Sequence, residues 1–148
     1  MPYFICPNCK ERSIDIDRLE GLSDEPVACH ACGFAFLFEL MDDYYPAPST
    51  GFVTCDQAGR VLAAGRGVFE FTGYSESDLI GRSVVQALGL NGWTDGKNPV
   101  ELSLEWGVRR LDEQLELTTK SGSHKPVKAD FFPAYDSDGG LLVALTPR

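Results

Sequence analysis

Residues 51–64 read Gly51-Phe52-Val53-Thr54-Cys55-Asp56-Gln57-Ala58-Gly59-Arg60-Val61-Leu62-Ala63-Ala64. Two short apolar runs flank a turn at Gln57-Ala58-Gly59, so the stretch is a β-hairpin. Downstream, Val68 to Tyr74 reads as one short helical turn closed by Gly73. Ser75-Glu76-Ser77-Asp78-Leu79-Ile80-Gly81 is a second short helix, with Ser75 as N-cap and acids in its first turn. Pro99 to Arg110 predicts a longer helix with Leu102, Trp106 and Val108 on its apolar side. Three strands then follow. Leu111 to Thr119 alternates at Leu115 and Leu117. Lys125 to Tyr135 puts Val127, Ala129 and Phe131 on one face and Lys128 and Asp130 on the other. Leu141 to Thr146 comes after the turn Asp136-Ser137-Asp138-Gly139-Gly140.

Upstream of the hairpin, Asp42-Asp43-Tyr44-Tyr45-Pro46-Ala47-Pro48-Ser49-Thr50 suits neither a helix nor a strand interior. It is the expected linker, residues 42–50, between an N-terminal part, residues 1–41, and a C-terminal part, residues 51–148. The N-terminal part carries Cys6-Pro7-Asn8-Cys9 and Cys29-His30-Ala31-Cys32-Gly33. Each Cys-x-x-Cys forms a knuckle that aims two thiolates at one point. Two such knuckles complete the tetrahedron of a structural metal site. Cys6, Cys9, Cys29 and Cys32 are therefore the expected ligands of one zinc ion, although four thiolates alone also suit a rubredoxin-type iron. A pair of redox dithiols is the competing reading, but a redox Cys-x-x-Cys usually comes singly at a helix start. The four-thiolate site is closed, which favours a structural over a hydrolytic role. His30 lies between ligands and is read as a loop residue.

The N-terminal pattern resembles the short bacterial zinc ribbons that precede larger domains, over residues 3–38. The quoted elements are the two knuckles, the intervening Ile14-Asp15-Ile16-Asp17-Arg18-Leu19 and the aromatic strand Phe34-Ala35-Phe36. The C-terminal part has the order β-β-α-α-α-β-β-β. It shows Asp-x-x-Gly between the first strands, then Thr72-Gly73-Tyr74-Ser75 and Leu79-Ile80-Gly81. Over residues 51–146 it resembles the PAS family. The fold class expected from both resemblances is α+β: a small β-rich ribbon, then a five-stranded antiparallel sheet with helices on one face. The PAS resemblance also implies a place for a small ligand between sheet and helices, and a role in dimerisation or signal relay. Where the family often has Asn after the second strand, this chain has Gly65, and Gly65 and Gly67 bracket Arg66. That predicts a loose approach to the first helix.

Of 148 residues, 13 are Lys or Arg and 22 are Asp or Glu, for a net charge of −9. Residues 1–45 hold three basic and nine acidic side chains; the rest hold ten and thirteen. Neither part is basic, which argues against nonspecific binding to nucleic acid or anionic lipid. No run approaches the roughly 20 apolar residues of a membrane span. The N-terminus lacks the basic-then-apolar pattern of a signal peptide, so the expected location is cytoplasmic.

The cofactor chemistries of the PAS family can be tested on particular residues. A LOV-type flavin adduct needs a cysteine on a helix, and Cys55, on the first strand, is the one cysteine outside the ribbon. Haem members use a His on the long helix, where this chain has none. The two histidines are His30 and His124, and neither knuckle reads Cys-x-x-Cys-His. These absences argue against haem and covalent flavin. Noncovalent flavin stays open through Trp93 and Trp106, whose blander role is core packing. Cys55 reads as a buried small hydrophobe. No catalytic residues are assigned: His124 beside Ser121 and Ser123 shows no orienting carboxylate in sequence, and no phosphate loop is present. The residues that would bind a PAS ligand are not identified by the sequence.

The expected function is a non-enzymatic regulatory module acting through protein–protein contact, either with another protein or as a homodimer through the PAS sheet. One alternative is a small-molecule or redox sensor; another is a transcription regulator whose ribbon touches DNA. Family members usually feed an effector through a helix after the last strand, and none follows Leu145-Thr146-Pro147-Arg148. That fits action on a separate protein or membership of a longer chain. Finally, Leu141-Leu142-Val143-Ala144-Leu145 is apolar on both faces, so part of the outer sheet face is expected to be covered. Phe34-Ala35-Phe36-Leu37-Phe38-Glu39-Leu40 offers more apolar side chains than a ribbon of that size buries.

Overall fold

A computed structural model describes residues 3–6, 12–13, 38–40, 47–65, 67–93, 98–133 and 140–148. In the N-terminal part, β1 (Tyr3–Ile5), β2 (Arg12–Ser13) and β3 (Phe38–Leu40) form an antiparallel sheet in the order β2-β1-β3. Phe4 pairs with Ser13 and Glu39, and Ile5 with Arg12 and Phe38. The β1–β2 pair therefore brackets Cys6 and Cys9, and β3 follows Cys29 and Cys32. Cys6 is buried. Cys9, Cys29, His30, Cys32 and the Asp42–Pro46 half of the expected linker lie outside the described residues.

The larger sheet has the order β5-β4-β8-β7-β6, all antiparallel. Its strands are β4 (Gly51–Cys55), β5 (Val61–Ala64), β6 (Arg110–Thr118), β7 (His124–Pro133) and β8 (Leu141–Pro147). The opening hairpin is held by Asp56, whose Oδ1 accepts the N–H groups of Ala58 at 2.8 Å and Arg60 at 3.0 Å. Gly59 takes a φ of 77°, the left-handed conformation such a turn needs. Thr50 enters β4 with its hydroxyl 2.8 Å from that of Thr146 on β8.

Among the described residues, four helices lie between β5 and β6: α1 (Val68–Thr72), α2 (Glu76–Leu79), α3 (Val84–Leu88) and α4 (Pro99–Trp106). The helix over 84–88 is one more than the sequence order predicts. Five residues are too few for a helical repeat to show. The N-caps follow local chemistry. The Ser75 N–H donates to Asp78 Oδ2 at 2.9 Å, and Asn98 Oδ1 accepts the Glu101 N–H at 2.8 Å ahead of Pro99. The Leu79-Ile80-Gly81 segment lies along the free edge of β5. The Gly81 N–H donates to Val61 O, and the Val61 N–H to Arg82 O, both at 2.9 Å. An edge that would invite another strand is thereby partly closed.

Two expectations about local packing are corrected. The predicted helix to Arg110 ends at Trp106 with a left-handed Gly107. It turns Pro99, Val100 and Ser103 inward and leaves Trp106 70% and Val108 51% exposed. Leu102 is half-buried. Gly65 and Gly67, on either side of the expected loose approach, are each held by a hydrogen bond. The Gly65 N–H donates to Phe52 O, and the Gly67 N–H to Glu70 Oε2, both at 2.8 Å. Gly67, at φ 100°, lets the chain pass close to Thr50 and Gly51.

Candidate functional site

The alternation of the five strands divides their side chains between two faces, and each face is a candidate site. On the inner face, Val53 and Cys55 of β4, Val127, Ala129 and Phe131 of β7, and Leu141, Val143 and Leu145 of β8 join one apolar cluster with the helices. Leu115 and Leu117 of β6 complete it, as their spacing predicts. This is where a PAS ligand would sit. Among the described residues, its buried aliphatic side chains leave few polar handles. Among the described residues two buried hydroxyls have no hydrogen-bond partner, Ser103 Oγ on α4 and Thr54 Oγ1 on β4, and Ser103 is the one on the helix side of the sheet. A buried hydroxyl without a partner carries a desolvation cost of about 1–3 kcal/mol. The sequence signal for it was present: Ser103 follows Pro99 and Val100 at helical spacing. The larger apolar side chains of Leu102 and Trp106 dominate the helical pattern and mask it.

Cys55 sits 1% exposed in the inner cluster, and burial, reinforced by the neighbouring Asp56 carboxylate, pushes its thiol from 9.0 up to about 12. A neutral thiol at any ordinary pH is a small hydrophobe, as its sequence position predicts, and a poor nucleophile. Trp93 is half-buried and packs against the cluster. Trp106, on the surface, serves neither the core packing nor the ring stacking suggested for it.

The His124 region also differs from expectation. A carboxylate does face it: Glu116 Oε1 stands 3.4 Å from Nδ1, across the β6–β7 pair. Thr118 Oγ1 lies 3.2 Å from the same nitrogen. The Ser121 hydroxyl, however, contacts Thr119 Oγ1 at 3.0 Å. The imidazole, carboxylate and hydroxyl do not line up as base, orienter and nucleophile, and the group lies in solvent.

On the outer face, neighbours across the sheet run Thr54, Leu142, Phe132 in one row and Phe52, Ala144, Asp130 in the next. All six are at most 2% exposed. Sequence alternation placed Asp130 opposite the apolar residues, and so it is, yet buried. Its Oδ1 accepts the Asp112 N–H at 2.8 Å, where Asp112 bulges out of β6 with a φ of 58°. Lys128 Nζ stands 3.7 Å from its other oxygen. The polar end of this face is continued by Lys128 and Gln114, toward the β6 edge. At the surface beside the helices, Asp78 is held down to about 2, mainly by the Lys120 ammonium 2.9 Å away and then by the Ser75 N–H.

A sheet ordered β5-β4-β8-β7-β6 with four helices between its second and third strands is a specific arrangement. The PAS domain family matches the sequence over residues 49–146, two thirds of the chain. The chain belongs to the PAS family.

Solved structures agree with this PAS assignment at the level of fold. The PAS domain of nitrogen regulation protein NR(II) from Vibrio parahaemolyticus superposes with a TM-score of 0.56 at 14% identity, covering 68% of this chain and 91% of that one. The light-state dimer of the fungal blue-light photoreceptor Vivid gives 0.57 at 14% identity, covering 90% and 94%. The PAS domain of the fruit-fly ELK potassium channel gives 0.52 at 18%, covering 67% and 86%. None of the curated proteins compared matches the sequence. PAS domains are sensory and signalling modules, which is the class of function this chain falls in. Among the described residues no helix is long and apolar enough to cross a membrane.

Proposed function

We propose that this PAS chain is a non-enzymatic regulatory module that works by protein–protein contact, with a structural zinc in its N-terminal part. The observation that carries the reading is the character of the PAS interior. Among the described residues the inner cluster is aliphatic and aromatic, and the Cys55 thiol within it is held neutral. Such an interior supports packing and shape change rather than bond chemistry.

The metal half of the proposal rests on donor chemistry. Four thiolates in two Cys-x-x-Cys knuckles suit zinc, Cys6 is buried, and the β1–β2 pair has the position that a knuckle hairpin requires. Cys6, Cys9, Cys29 and Cys32 would hold the ion, which supplies a crosslink between segments that lack a large core. The proposed division is residues 1–41, a linker at 42–50, and the PAS domain from residue 51. With no basic part in the chain, its partner would be a protein, either a second copy or another chain, rather than nucleic acid.

A second reading, a ligand-sensing PAS domain, is favoured by one atom: Ser103 Oγ, buried with no hydrogen-bond partner. A noncovalent flavin carbonyl or another polar ligand atom would satisfy it.

One preparation tests both. Protein purified without chelator is assayed for metal, scanned for visible absorbance, and run in sedimentation velocity over a range of concentrations. One zinc per chain, no chromophore and a concentration-dependent dimer support the first reading. Copurified flavin bands would replace it with the sensor, and absence of zinc would remove the metal site.

A further inference from the structure

Among the described residues six large apolar side chains stand in solvent. Leu62, Phe69 and Ile80 come one each from β5, α1 and the end of α2. The other three fall between residues 106 and 111: Trp106 at 70%, Val108 at 51% and Leu111 at 40% exposure. Single exposed apolar residues are ordinary on a protein surface, whereas a run that includes a tryptophan is not.

Helix α4 shows how this surface is built. Residues four apart on a helix lie one above the other. Leu102 and Trp106 therefore share one ridge, and Glu101 and Glu105 share the next. The inward line is already taken by Pro99, Val100 and Ser103. Leu102 is half-buried, and Trp106, Glu101 and Glu105 are exposed. So α4 turns outward an apolar ridge with an acidic ridge beside it. A left-handed Gly107 ends the helix, and Val108 and Leu111 carry exposed apolar surface on into β6.

Charge is one-sided here as well. Residues 98–116 hold five acidic and two basic side chains, a net −3. Residues 51–148 as a whole hold thirteen and ten, also −3, so the remainder of the PAS part balances at eight each. Its excess negative charge is concentrated in this one segment. Of the two basic residues, Arg110 already has Glu113 at 2.9 Å.

We propose that the outward flank of α4, with Val108 and Leu111 beyond it, is a docking surface for an amphipathic helix of a partner protein whose apolar side is bordered by Lys or Arg. This rests on the reading of the chain as a protein-contact module, and adds the surface and the partner's chemistry to it. A helix is the occupant because a four-residue ridge fits between the ridges of another helix. Trp106 has the largest exposed apolar side chain of the patch and is its anchor. The acidic ridge meets the partner's basic border and fixes which way round that helix lies. A second copy of this chain does not meet the need. In a two-fold contact the same patch faces itself, which sets Glu101 and Glu105 against their own counterparts.

The test uses the full chain and two synthetic peptides of about 15 residues, long enough to form a helix. Both carry the same leucine face, bordered by Lys in one and by Glu in the other. Amide and indole N–H signals are followed by two-dimensional NMR during titration. The Lys-bordered peptide is expected to shift the Trp106 indole, Val108 and Leu111, and to bind about 5-fold or more tightly than the Glu-bordered one at low salt. Trp106→Ala should weaken that binding about 10-fold. Glu101→Lys with Glu105→Lys should reverse the preference between the peptides. Both variants alter exposed side chains, so their unfolding midpoints should match that of the unsubstituted chain. Equal affinity for the two peptides, binding by neither, or shifts confined to β7 and β8 would overturn the proposal. Shifts confined to those strands would still leave protein contact as the function. Failure of that broader reading shows in a different measurement, as copurified flavin bands in the absorbance scan.

Discussion

Gly51 is a small residue with a large steric burden. A Cβ placed there would stand 2.9 Å from both Val68 Cγ2 and the Val68 backbone nitrogen, where β4 passes the start of α1. Backbone cannot swing aside as a flexible side chain can. Gly51→Ala should therefore cost about 1–3 kcal/mol, read as a lower urea midpoint with an unchanged slope. Cys55 makes a prediction in pH. Its thiol ionises near 9.0 when exposed and near 12 when folded, so the unfolded chain loses this proton first. The stability owed to the buried thiol is intact below pH 9 and drains away as pH rises toward 12. Unfolding free energy of the unsubstituted protein, measured against Cys55→Ala, should fall steadily from pH 9 upward and be flat below it. In both cases the residue type was visible in sequence, but the neighbour that makes it matter was not.

At the scale of the element, caps and strand faces were legible because they are local. Ser75 and the Asp56 turn, both read from sequence, use hydrogen bonds that span two to four residues; the Asn98 cap, equally local, was not singled out there. The strand period of two assigned Val127, Ala129 and Phe131 to the core without knowledge of any partner. Replacing Asn98 with Ala removes the acceptor of the Glu101 N–H and should cost about 1 kcal/mol, measurable by thermal unfolding. Helix α3 was missed because five residues give no period. The inward side of α4 was misread because apolar residues surround it nearly all the way: Val100, Leu102, Leu104, Trp106. Which of these turns inward is set by the sheet it meets, and that sheet chose Val100 and Ser103.

The largest scale concerns how two small parts make one molecule. Zinc binding in modules of this size supplies folding free energy on the order of 10 kcal/mol. If the proposed zinc is held by Cys29, Cys29→Ser should release it and abolish hydrogen-exchange protection at Tyr3–Ile5, while the amides of β7 and β8 stay protected. Metal retained in full by that variant would remove Cys29 from the ligand set. The sequence by itself determined the order of elements apart from α3, the hairpin turn and the Ser75 cap, the inward residues of β6 and β7, and the four cysteines at metal spacing. Those follow from interactions between residues close in the chain or from a simple period. Only the tertiary structure decided that Trp106 lies in solvent, that Ser103 stands unpartnered inside, that Glu116 faces His124, and that Asp130 is buried. Each of these depends on a neighbour brought from a distant segment, since burial is a property of what packs over a side chain and not of the side chain alone.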